Sequence, residues 1–138
     1  MASFIYDSCD YDNATGAIDF DTDTFKTLLV TSSYSANRAT HLKRSDVTNE
    51  VSGTGYTTGG ATTTVTVAKD TANHKITITF AGVSWASSTI TARAAVIYKS
   101  RGGASSADEL VAYVDFGSDV TSTSSTFSVS SSTITRQL

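Results

Sequence analysis

Residues 90–117, ITARAAVIYKSRGGASSADELVAYVDFG, contain two apolar runs separated by a polar segment rich in Gly and Ser. That order marks a β-hairpin with a long connection. One register sets Ala92, Ala94, Val96 and Tyr98 against Phe116, Val114, Ala112 and Leu110, small facing large. It also sets Arg93 against Asp115 and Lys99 against Glu109, opposite charges of the kind that fix a register. Val96 and Phe116 are then expected in the core. Between its charge pairs the second face carries Ala95 and Ile97 opposite Tyr113 and Val111. A strand pair that is apolar on both faces is covered twice. The second cover is either the chain's own N-terminal strand or another subunit.

The rest of the chain supplies further short strands. Phe4–Tyr6 read as one, followed by the acidic, turn-prone segment DSCDYDNATG, and Ala17–Phe20 as another. Phe25–Tyr34 suits a buried strand or a one-to-two-turn helix, and its Thr and Val content favours the strand. Ala39–Asp46 is the best helical candidate, at a single short turn. Val47–Ala61 has four glycines and reads as loop. Thr62–Ala68 and Lys75–Phe80 alternate apolar and polar residues and form a second hairpin through Asp70–His74, with Asn73 suited to positive φ. Val83–Trp85 read as an edge or bulge. Near the end Phe127 and Val129 alternate, and a bulge at Ser130–Ser132 would bring Ile134 back to the same face. About eight short strands indicate an all-β fold, an antiparallel β-sandwich of jelly-roll-like or Greek-key-like type.

At 138 residues the chain is one domain, 1–138, and a domain of this size buries roughly 70% of its unfolded surface. Roughly a third of the residues are Ser or Thr, which lowers the hydrophobic fraction to 39% and the charged fraction to 17%. The bias reads as β-rich, not disordered. A net charge of −3 without a basic run argues against nucleic acid as a partner. No apolar run approaches the roughly 20 residues that span a bilayer, so no membrane partner is expected. The N-terminus lacks the basic patch and apolar core of a signal peptide, so synthesis in a cytoplasm is expected. A single cysteine, Cys9, excludes an internal disulfide.

Motifs for chemistry are incomplete. Asp19, Asp21 and Asp23 have the spacing that begins a calcium loop, but Thr24 and Val30 stand where it needs Gly and Glu. His41 and His74 are far apart with no second Cys or adjacent His, so no metal set forms. There is no G-x-S-x-G elbow, and no Gly-Lys-Ser/Thr follows the glycines of GTGYTTGG. Asn13-Ala14-Thr15 is a formal glycosylation sequon, and Arg101-Gly102-Gly103 reads as a hairpin tip. No cofactor, metal site or catalytic residue is expected.

Five blocks, FIYDS, GAIDFDTDTFKTLLV, THLKRSDVTNEVSGTGYTTGGA, AAVIYKSRGG and ELVAYVDFG, lie in one order over most of the chain. In these the chain resembles a family of small tailed-phage virion proteins. The resemblance implies a non-enzymatic virion structural protein, located in the virion, that decorates or cements a capsid. Its implied partners are the major capsid protein and further copies of itself, as a homo-oligomer. Such a protein folds alone and gains occupancy through many symmetric weak contacts. The expected partner-binding residues are Phe4, Ile5 and Tyr6 as apolar anchors on an N-terminal arm, and Gly53, Gly55 and Tyr56 in a loop that straddles capsid subunits. The rival reading is a head- or tail-fibre module that binds host carbohydrate, for which Tyr11, Tyr56 and Trp85 are the scattered aromatic candidates.

Overall fold

The computed structural model describes residues 2–138. Eight strands form two antiparallel sheets, the expected sandwich. They are β1 (Phe4–Ile5), β2 (Phe25–Val30), β3 (Ala61–Thr63), β4 (Val65–Asp70), β5 (Lys75–Phe80), β6 (Val83–Lys99), β7 (Leu110–Val129) and β8 (Ser132–Gln137), with one helix, α1 (Asp7–Ala14), after β1. The larger sheet has the order β1-β7-β6-β2-β3 and the smaller one β4-β5-β8. Two of the strands are long: β6 has 17 residues and β7 has 20.

The β6–β7 hairpin is present, but its register is corrected by bulges. Tyr98 faces Leu110 and the Lys99 N–H donates to the Glu109 carbonyl, as expected. Ile97 then faces Ala112, which leaves Val111 as the extra residue of a bulge. Beyond it Val96 faces Tyr113, Ala95 faces Val114 and Ala94 faces Asp115, one residue away from the expected pairing. A wider irregularity follows, because Ala92 pairs with Val120. Residues 116–119 therefore stand opposite Arg93 alone. Phe116 is lifted from the core and is only half-buried, against Phe127, whereas Val96 is fully buried as expected.

Both faces of the hairpin are covered by the chain itself. On one face Ala94, Val96, Tyr98, Leu110 and Tyr113 meet Leu28 and Val30 of β2, Tyr6, and Tyr34 and Ala36 from the segment after β2. On the other, Ile97, Val111 and Ala112 meet Phe80 and Ile78 of β5, Ile134 of β8, and Cys9, Ile18 and Phe20 from α1 and the turn after it. A third cluster, around Trp85, Ile90, Ala95 and Phe127, takes in Val51 from the Gly-rich loop. The N-terminal strand is not the second cover. β1 instead lies beside β7 at the sheet edge, with Phe4 opposite Tyr113 and Ile5 opposite Ala112.

Other expectations change as well. The segment after β1 is a helix despite its turn-prone residues. Asp7 and Asp10 suit the positive end of the helix dipole, and ion pairs from Asp7 to Arg38 and from Asp10 to Arg136 tie it down. Ala17–Phe20 form a turn, although Ile18 and Phe20 are buried. Ala39–Asp46 shorten to a turn and a 3-10 turn at Arg44–Asp46. In the β4–β5 turn His74, not Asn73, has positive φ, and Asn73 donates to the Asp70 carboxylate. Ser130 and Ser131 do not form a bulge but carry the chain from β7 in one sheet to β8 in the other.

The rings of Phe20, Phe25 and Phe80 meet between the sheets, with centroids 5.5–6.1 Å apart. Phe80→Ala should cost about 3 to 5 kcal/mol in chemical denaturation, and Phe116→Ala clearly less, because water already reaches part of that ring. Equal losses would place Phe116 in the core after all.

Candidate functional site

The hairpin connection is bound by a lattice of charges. Asp108 and Glu109 lie immediately before β7 with side chains only 1% exposed. Such carboxylates need partners, since an unpaired buried charge is strongly destabilising. Arg101 grips Glu109 with two parallel bonds, Nε to Oε1 at 2.7 Å and Nη2 to Oε2 at 2.6 Å. Arg44 reaches Asp108 at 2.8 Å and lies 5.1 Å from the Tyr98 ring centroid. The Arg101 N–H donates to the other Asp108 oxygen. Lys99 does stand opposite Glu109, but its ammonium group binds Asp23 at 2.7 Å and the Ala17 carbonyl at 2.6 Å. The Arg93–Asp115 contact does form, at 3.0 Å, although the two residues are not directly opposed. This lattice fastens the segments around 17–23 and 42–44 to the hairpin.

Of the Asp19, Asp21 and Asp23 cluster, the Asp19 and Asp23 carboxylates are engaged by local hydrogen bonds and by Lys99. The Asp19 carboxylate accepts from the Asp21 N–H and the Thr22 hydroxyl, and the Asp23 carboxylate accepts from the Asp19 N–H and from Lys99. His41 takes part in a chain of hydrogen bonds through Tyr34 to Tyr6, at 2.8 and 2.9 Å. Among the described residues no group of three metal-ligating side chains converges. Burial pushes the Cys9 thiol up to about 12, so the thiolate is suppressed at neutral pH.

The six expected partner-binding residues are scattered between surface and interior. Tyr6 is completely buried and bonded to Tyr34, so it belongs to the core and is not an arm. Phe4 and Ile5 stay half-buried at the mouth of a cleft of about 570 Å³ between the sheets, lined also by Ile97, Ala112, Val114 and Ile134. Gly53 and Gly55 are exposed but lie flat on β6: a Cβ would come within 2.7 Å of the Thr89 carbonyl oxygen at Gly53 and 2.8 Å of the Ser88 Cα at Gly55. The Thr89 N–H donates to the Thr54 carbonyl between them. Tyr56 turns inward, its hydroxyl donating to Glu50 and accepting from the Leu29 N–H, its ring 5.4 Å from Trp85. The Gly-rich loop is thus a fixed surface. Trp85 is buried and Tyr56 half-buried, which leaves Tyr11 as the exposed member of the three candidate aromatics.

Two Ser/Thr-rich surfaces carry no recognisable motif. From Ser84 to Ala92 and from Val120 to Thr135 no residue is charged. Along this part of the hairpin Ser84, Thr89, Thr91, Thr121, Thr123, Thr126 and Ser128 are exposed. On the smaller sheet Ile78, Phe80 and Ile134 point inward, so the alternate residues form the outer face. There Thr66, Thr79 and Thr133 stand in one row across three strands and Ala68, Thr77 and Thr135 in the next, with the opposite charges of Asp70 and Lys75 in the row beyond, at the turn. The signal was in the sequence as long stretches free of charge, which composition alone does not locate. No family model, curated protein or solved structure matches this chain.

Burial alone would raise the Glu109 carboxyl, but the Arg101 hydrogen bonds and the Lys43 charge outweigh it and hold Glu109 below its ordinary value. The Gly117 N–H and Arg93 bring Asp115 down to about 2. A pKa depressed by folding contributes stability above the unfolded value, near 4, that is lost as pH falls through the folded one. Stability should therefore be level from neutral pH to about 5 and decline from about 4 toward 2. Glu109→Gln should cost about 1 to 3 kcal/mol at pH 7 and make the acid limb shallower. Denaturation midpoints unchanged between pH 5 and 2.5 would contradict this.

Proposed function

We infer that this chain is a non-enzymatic structural protein that coats the outside of an assembled virion shell, in the manner of a capsid decoration or cement subunit. The observation that carries the reading is the uncharged Ser/Thr surface of the hairpin, with two uncharged rows on the outer face of the smaller sheet. Covering a charge costs desolvation, whereas hydroxyl-bearing surface is covered cheaply and still directs hydrogen bonds. The surface is also preorganised, because the Gly-rich loop is fastened to β6 and Glu50. Modest contact per copy suffices when many copies bind a symmetric lattice.

The resemblance to small tailed-phage virion proteins supports the same reading. Its blocks fall on β1, β2, the Gly-rich loop and the facing parts of β6 and β7. They are the scaffold and one fixed surface, with no reacting group among them to transfer. The partner in this reading is the major capsid protein as arranged in the assembled shell, since a site spanning neighbouring subunits does not exist on a free one.

The test mixes purified protein with undecorated shells and sediments them. Saturable co-sedimentation is expected, and the bound protein should raise shell resistance to heat. Thr89→Glu with Thr123→Glu, both exposed, should abolish binding and leave the circular dichroism spectrum unchanged. Failure to co-sediment, combined with retention on host-surface glycans, would reject the coating role in favour of host recognition.

A further inference from the structure

The hydroxyls of Tyr6, Tyr34, Tyr56 and Tyr98 are all engaged in internal hydrogen bonds. Tyr113 differs. It belongs to the buried cluster with Tyr6 and Tyr34 and is 4% exposed, yet its hydroxyl has no hydrogen-bond partner among the described residues. Buried hydroxyls are ordinarily bonded. This one is not sealed from water, because Tyr113 lines a surface hollow of about 240 Å³ together with Ser32, Tyr34, Ser35 and Arg93.

The other polar groups of the hollow are unsaturated too. Arg93 donates through Nε to Asp115 at 3.0 Å, which leaves both Nη groups without an acceptor among the described residues. Ser32 and Ser35 are exposed, and their hydroxyls make no internal bond among the described residues. They flank Tyr34, whose N–H donates to the Thr31 carbonyl and closes the turn. The Tyr34 hydroxyl is itself held between Tyr6 and His41, so it serves the hollow only as a wall. N–H and O–H donors therefore outnumber the acceptors here. The charge is nevertheless balanced, because Arg93 is paired with Asp115 and also feels Asp119.

We propose that this hollow binds a neutral sugar that bears an acetamido group. An excess of donors calls for a ligand that accepts, and balanced charge gives a carboxylate or phosphate no net attraction. An amide carbonyl is a neutral acceptor with two lone pairs, enough for an Arg93 Nη and the Tyr113 O–H together. The methyl group beside that carbonyl suits the apolar bodies of Tyr34 and Tyr113. Sugar hydroxyls, donors and acceptors at once, match Ser32 and Ser35. A volume of about 240 Å³ is below the roughly 300–1,000 Å³ of drug-sized ligand sites and takes a single ring. The site is also preorganised, with Arg93 anchored by Asp115 and Tyr113 stacked on Phe4 at 5.2 Å between ring centroids.

The test uses the free protein without shells, so its outcome is separate from that of the coating role. Titration with N-acetylglucosamine or N-acetylgalactosamine, followed through amide resonances, should give saturable shifts around residues 32–35, Arg93 and Tyr113. A Kd in the millimolar range is expected for at least one of them. Glucose, which lacks the acetamido group, and glucuronate, which carries a charge, should each bind at least about tenfold more weakly. Tyr113→Phe removes a hydroxyl without an internal bond, so the thermal midpoint should stay while affinity falls at least about threefold. Ser35→Glu sets a carboxylate beside the donors and should abolish binding. Absence of saturable shifts with both acetamido sugars would overturn the proposal. So would equal binding of glucose or glucuronate, or a Tyr113→Phe protein that binds like the original.

Discussion

The backbone pairing of β6 with β7 is the constraint on which the other elements depend. All three clusters of the core include side chains from this hairpin, and both of its faces are apolar. A ribbon of this kind is unstable until each face is covered. One cover comes from the segment after β2, anchored by Tyr34 and Ala36, and the other from the smaller sheet, α1 and the Gly-rich loop. The bulge at Val111 and the wider one opposite Arg93 let two long strands twist so that different stretches face different covers.

How much of this was legible from residues depended on whether a local pattern or a distant contact decided the outcome. Lys75–Phe80 alternates cleanly, and β5 has those bounds. Eight strands in two sheets followed from spaced apolar runs and turn residues. The register did not, because opposite charges tolerate a one-residue offset: Arg93 still reaches Asp115 from a neighbouring position. Helix α1 has no apolar stripe, only Cys9 buried, and its anchors Arg38 and Arg136 lie far along the chain. Tyr6 looked like an exposed anchor because nothing nearby announces Tyr34, its buried partner 28 positions later. The cleft between the sheets was illegible for the same reason, since its walls include β1 and β8, strands distant in sequence.

Charge and neutrality are segregated in the fold. Arg44, Lys99, Arg101, Asp108 and Glu109 gather at the closed end of the hairpin, and the stretches 84–92 and 120–135 carry none. At the charged end ion pairs are spent internally, holding loops in place. At the neutral end hydroxyl groups face water with few internal duties, Thr91 to Thr121 at 2.9 Å being one of them. A molecule divided this way has a rigid end and a surface that another molecule can cover without stripping water from ions.

The attachment of β1 to β7 has a consequence for the order of folding. Phe4 and Ile5 find their partners only at Tyr113 and Ala112, and Lys75 of β5 finds Gln137 of β8. The first of these pairings closes a loop that contains all of β2 to β6. Pairings so distant in sequence slow folding. The β6–β7 hairpin closes over a far shorter loop, so β1 docks on a strand that is already paired on its other side.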